Sequence, residues 1–228
     1  MARTTISHLL ALDSVPVAIS FVDEPPAGMP RAEPGEPASC GYWRRAAAGD
    51  VFYTVADDHK SCPIGAHTHN VPLSAAERRG AEELIQMMVG LSYLKMEEVA
   101  QIPSRKEPLR VAVYAPLDRA TMPPDVVLVR GNARQLMLLA EAAQAAGVAA
   151  VGPALGRPTC AMLPAAIESQ RATMSFGCIG NRVYTGAADD EAYIAIPGER
   201  MRAIEDQLGV IVRANEKLET FHRARVTR

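Results

Sequence analysis

Two stretches of this 228-residue chain repeat one order of chemistry, and a fold must place both. Ser39-Cys40 precedes a helical stretch holding Ala46-Ala47, an apolar strand run, and then Ser61-Cys62-Pro63-Ile64-Gly65. Thr159-Cys160 precedes a stretch holding Ala165-Ala166, a strand run, and then Gly177-Cys178-Ile179-Gly180. Each reads hydroxyl–Cys, helix, strand, Cys–Ile–Gly, with 21 residues between the first two cysteines and 17 between the second two. A proline-led helix is expected after each, at Pro72 and at Pro197. Two such units packed about a pseudo-twofold axis bring equivalent side chains together, so four thiols converge if the repeat is structural.

The remaining periodicity supports sheet and helix together. Pro16-Val17-Ala18-Ile19-Ser20-Phe21-Val22, Leu109 to Ala115 and Asp125 to Val129 read as strands, with further strands at Val51–Val55, Ala172–Phe176 and Ala192–Ile196. Leu84, Met87, Met88, Leu91 and Leu94 recur at helical spacing behind Ser74, and Asn132 opens a helix that Gly147 closes. Shorter helices are expected near residues 4–12, 40–48 and 160–169, and two more at 197–208 and 210–223. The 59–70 stretch has no period and reads as a loop. Strands and helices alternate without a βαβ rhythm, which predicts an α/β (mixed α+β) class: a mixed sheet with helices packed on it. At this length one domain over residues 1–228 is expected, with pseudo-symmetric lobes at 1–108 and 109–228.

Charge narrows the partners. With 24 Lys+Arg against 26 Asp+Glu the chain lacks the positive field that nucleic acid or an anionic membrane requires. No apolar run approaches the roughly 20 residues of a membrane helix, and the opening residues lack the order of a signal peptide. The expected setting is the reducing cytoplasm, where Cys40, Cys62, Cys160 and Cys178 are not a disulfide framework. Aromatic residues make up 5% of the chain and Ala numbers 38, so small aliphatic side chains must build much of the core.

Thiolates hold iron–sulfur clusters or tetrahedral zinc, and the four cysteines are the candidate ligands. No C-x-x-C pair or compact ferredoxin run is present, and inert buried thiols are the plain alternative. His59, His67 and His69 cluster around Cys62 as a second candidate metal set. His67 and His69 would point the same way in an extended loop, although solvated or hydrogen-bonded histidines are as natural there. Around Cys178, Gly180, Asn181 and Arg182 form a candidate site for a small anionic molecule, Arg182 supplying the charge, against a plain Gly-rich hairpin. No G-x-S-x-G elbow, H-E-x-x-H helix, P-loop or dinucleotide fingerprint occurs.

Pro124-Asp125-Val126-Val127-Leu128 with Asn132 and Gln135, Cys160, Ser175 through Arg182, Asp190-Glu191 and Ile196-Pro197 together resemble an uncharacterised prokaryotic family, domain of unknown function 169. The resemblance runs from the Pro16 strand to the Pro197 helix. It implies that Cys62, Cys160 and Cys178 occupy the family's cysteine-bearing segments, and it implies no reaction. Cys40-Gly41-Tyr42-Trp43 and the His67/His69 loop look like features of a subgroup.

Three functions follow as expectations. The first is a metalloprotein holding an iron–sulfur cluster, or zinc or another thiophilic metal, in electron transfer with a redox partner protein or in cluster-assisted chemistry on a small anionic molecule. The second is a metal-free thiol/disulfide enzyme or sensor, which needs a thiolate of lowered pKa. The third is a non-catalytic ligand-binding or assembly protein, a homo-oligomer meeting through the Met-containing helix Leu84–Met96.

Overall fold

The computed structural model describes residues 4–148 and 158–226, so the reading of the first three residues lies outside it. The first part of the chain runs α1 (Thr5–Leu9), β1 (Val17–Val22), α2 (Ser39–Ala47), β2 (Phe52–Val55), α3 (Pro63–Thr68), α4 (Ala75–Gly90), α5 (Met96–Val99) and β3 (Val111–Pro116). The second runs β4 (Val126–Asn132), α6 (Ala133–Ala145), α7 (Met162–Ser169), β5 (Thr173–Ser175), α8 (Ile179–Thr185), β6 (Glu191–Pro197) and α9 (Met201–Val226). Helices packed on a sheet are what the alternating periodicities predict. No helix among the described residues is long and apolar enough to cross a membrane.

Local chemistry sets the boundaries. Ser74 opens α4 with a reciprocal cap: its amide donates to Glu77 Oε2 at 2.6 Å, and the Glu77 amide donates to Ser74 Oγ at 3.3 Å. Asn132 and Gln135 repeat the device at α6. The 59–70 stretch departs from the loop reading, because Pro63 presets a helical φ at the first position of α3 and Cys62 caps it. The two C-terminal helices are one: Gly209 sits inside α9 at a cost of about 1 kcal/mol, and packing along α6 holds the helix through it.

The sheet has the order β2-β3-β1-β4-β6-β5, and every pair in it is antiparallel. An isolated parallel bridge joins Arg31, outside the named strands, to Tyr53 of β2. Counted from the centre, each half reads first strand, third strand, second strand. The registers agree as well: Val17, which begins β1, pairs with Pro116, and Val126, which begins β4, pairs with Pro197. Tyr114 then stands opposite Phe52 where Ala195 stands opposite Thr173. A 3-10 turn follows each terminal proline, at Leu117–Arg119 and at Gly198–Arg200. Pro197 therefore corresponds to Pro116 rather than to Pro72; along the chain the halves divide between β3 and β4, and in the sheet they join at β1 and β4.

The faces of the sheet bury separate clusters. Ile19, Tyr114, Leu128 and Ala195 face α2, α3 and α7, while Val127, Val129, Ile194 and Ile196 face α1, α6 and the start of α9. Cover on both faces explains why β4 is apolar without alternation.

The second proline turn brings backbone against backbone. A Cβ added to Gly198 would overlap the carbonyl oxygen of Pro124, whereas one added to Gly80, inside α4, meets open space. Gly198→Ala should lower unfolding stability in urea by about 2 kcal/mol or more, and Gly80→Ala should raise it by roughly 0.5–1 kcal/mol.

Candidate functional site

All four cysteines line one cavity of about 470 Å³ on the α2/α3/α7 side of the sheet. Each sits at the start of a helical segment. Cys40 is the second residue of α2, and Cys160 lies in the 3-10 turn Thr159–Ala161 that leads into α7. Cys62 caps α3 and Cys178 caps α8. The Gly65 amide donates to Cys62 Sγ at 3.4 Å, and the Asn181 amide donates to Cys178 Sγ at 3.5 Å. These are third-position amides on both helices, so the two cap cysteines are equivalent in geometry and not only in sequence. α2 packs on α8 and α3 on the Thr159 turn, so each half sets its helix ends against those of the other.

Hydroxyls preceding the upstream cysteines fix these ends. Thr159 Oγ1 accepts the Cys178 amide at 2.5 Å, tying the second pair of cysteines together. Ser39 Oγ lies 2.9 Å from Nδ1 of buried His59, whose Nε2 lies 2.8 Å from Thr54 Oγ1. Ser39 is packed so closely on Gly65 that a Cβ there would meet its Oγ at 2.5 Å. Glycine at 65 lets α2 and α3 approach.

Burial disfavours the thiolate at three of the cysteines, Cys40, Cys62 and Cys160. Burial pushes Cys40 up to about 12, against the Asn181 amide, and the thiols of Cys178 and Cys62 add to the rise. Burial also raises Cys62, against amides of Gly65 and Ile64, and raises Cys160. In all six pairings of the four cysteines, ionising one raises the cost of ionising another. Among the described residues no group of three or more His, Cys, Asp or Glu stands ready for a metal ion.

The remaining candidates separate. Gly180 and Asn181 line the cavity, and Asn181 is 2% exposed. Arg182 does not line it. Its guanidinium donates to the carbonyls of Ala188 at 2.6 Å, Phe176 at 2.5 Å and Glu191 at 3.0 Å, stapling the ends of the 176–191 segment. The three histidines do not gather. Residues two apart on a helix diverge by roughly 200°, so His67 is exposed while His69 is buried, its ring 4.8 Å from that of His59. His69 Nδ1 donates to Gly65 O at 2.9 Å, which fixes its tautomer.

Sequence periodicity missed the opposite wall. Leu84, Met88, Leu94, Val99 and Ile102, from α4, α5 and the turns beside them, line the cavity, whereas the sequence offers the Leu84–Met96 helix only as an oligomer interface. Its apolar residues diverge in the structure: Met87 and Leu91 are 55% and 72% exposed. The paired prolines followed by Asp118-Arg119 and Glu199-Arg200 were a legible signal of the true repeat.

The chain matches the family described as Uncharacterised ArCR, domain of unknown function 169, over residues 5–207. An uncharacterised protein of Methanocaldococcus jannaschii is 28% identical over 173 residues, 69% of each chain. No solved structure matches.

Burial holds His69 down to about 4, against the Gly65 carbonyl, and holds His59 well below its ordinary value. The unfolded chain therefore binds more protons than the folded one below about pH 6.5, and stability is lost as pH falls through that window. Each histidine should contribute a slope of about 1.4 kcal/mol per pH unit. Unfolding free energies between pH 4.5 and 6 should show a slope shallower by that amount in His69→Gln; an unchanged slope would mean that His69 is charged in the fold.

Proposed function

The chain belongs to that family, whose description assigns no reaction, and we propose that it is an iron–sulfur protein in which Cys40, Cys62, Cys160 and Cys178 hold the cluster and through which electrons pass to a redox partner. One observation carries the reading: four cysteines drawn from both halves of the sheet line a single cavity. Four thiols dispersed through a core by chance have no reason to share one.

The surroundings fit a cluster better than the alternatives. A structural zinc site closes around its ion, with sulfurs about 2.3 Å away, whereas this space lies within the roughly 300–1,000 Å³ range of small-ligand pockets. A thiol enzyme needs a thiolate of lowered pKa, and burial moves Cys40, Cys62 and Cys160 the other way. A bound cluster supplies positive iron to offset thiolate charge and a reversible one-electron couple. The chain's own contribution is to hold the thiols in place, to donate the Gly65 and Asn181 amides to two sulfurs, and to limit water with apolar walls. Four free thiols suit a cytoplasmic setting. Arg182 has no anion-binding part in this reading, since three carbonyls hold its guanidinium.

Protein purified without oxygen should be brown, with iron and acid-labile sulfide bound in equal amounts. Because burial keeps Cys40, Cys62 and Cys160 protonated, loading should release protons and weaken as pH falls. Cys160→Ser and Cys178→Ser should each lose most of the visible absorbance. Cys40→Ser should do the same if four ligands are used, and keep an open iron position if three suffice. Folded, colourless protein that takes up neither iron nor sulfide on reconstitution contradicts the proposal.

A further inference from the structure

The sheet order makes α3 and α8 counterparts, yet their outer surfaces are treated differently. α4 packs on α3. After α8 only residues 186–190 lead to β6, whereas residues 69–110 separate α3 from β3 and supply α4 and α5. No helix is inserted between α8 and β6, and α9 packs along α6 instead. Ile179 and Val183, one turn apart, are accordingly 70% exposed, and neighbouring Phe176 is 57% exposed. Apolar side chains of that size gathered on one face mark an interaction surface rather than a solvated one.

The missing cover is displayed on the opposite side of the cavity. Met87, Leu91 and Met96, on the outer side of α4 and α5, are 55%, 72% and 51% exposed. No residue of α4 or α5 is buried. Both patches border the same cavity, since Leu84 and Met88 line one wall and Ile179 and Tyr184 another. One patch thus lacks an apolar helical cover, and the other is an apolar helical face lacking something to cover. A pair of unlike, complementary patches on one chain is what a twofold dimer uses twice.

We propose that a second copy of this chain covers α8. The α4–α5 face of one protomer lies on Phe176, Ile179 and Val183 of its partner, and the twofold repeats the contact. The two cavities then face one another, and each cysteine site is closed from solvent by the other protomer. The dimer rests on the apolar patches and not on the cluster, so it forms in colourless protein as well as brown.

Sedimentation of the full chain at tens of micromolar should give twice the 24.5 kDa chain mass, with or without iron. Ile179→Glu with Val183→Glu should weaken association at least tenfold, and Leu91→Glu on the other patch should do the same. Leu218→Glu with Phe221→Glu, on the exposed part of α9, should leave the dimer intact. A photo-crosslinking residue at position 183 should label residues 84–96 of the other copy. A monomeric wild-type chain overturns the proposal. So does a dimer that survives Leu91→Glu in a folded variant, or one lost on substituting α9. Loss of iron binding with the dimer intact overturns the cluster reading alone.

Discussion

The pairing of β1 with β4 holds the two halves of the sheet together, and the cysteine cavity depends on it. Three residue pairs make that seam, Val17 with Leu128, Ala18 with Val127 and Ile19 with Val126. Because the strands are antiparallel there, each half presents its own strand–helix–strand–helix unit to the same side of the sheet in opposite orientation. The helix starts then point inward from both sides. Two cysteines per half, each at a helical start, become four at one cavity. A register slip of one residue would send the apolar set of the slipped strand to the other face.

That placement has an electrostatic consequence. The amides at helix starts are unpaired donors that favour negative sulfur, while burial, and secondarily neighbouring thiols, oppose it at Cys40, Cys62 and Cys160. For Cys40 the opposition dominates, and its thiol is pushed up to about 12. Burial opposes a free thiolate at Cys40, Cys62 and Cys160, which the proposed cluster would offset with positive iron. The same frame places His59 and His69 in the core beneath the helices, neutral, one bonded to Ser39 and the other to Gly65. These residues position α2 and α3 and are poorly placed as ligands.

Much of this was legible wherever a local rule acts alone. Ser74 with Glu77 and Asn132 with Gln135 announce helix starts, and the apolar run Val126–Val129 announces a strand covered on both faces. The cysteine repeat foretold equivalence between Cys62 and Cys178, and the third-position amides bear that geometry out. Periodicity failed where elements are short or where tertiary contacts choose the partner. α3 has six residues, too few for a period, so His67 and His69 read as neighbours on a loop. Arg182 looked like an anion ligand because sequence cannot show that three carbonyls surround it. Pro116, and not Pro72, is the counterpart of Pro197 because strand register, which spacing does not reveal, sets the correspondence.

Iron K-edge X-ray absorption on anaerobically reconstituted protein tests the central claim most directly. Convergence of the four cysteines on a cluster predicts a sulfur shell around iron together with an iron–iron path, both lost in Cys160→Ser. A shell of nitrogen and oxygen neighbours without an iron–iron path would contradict it.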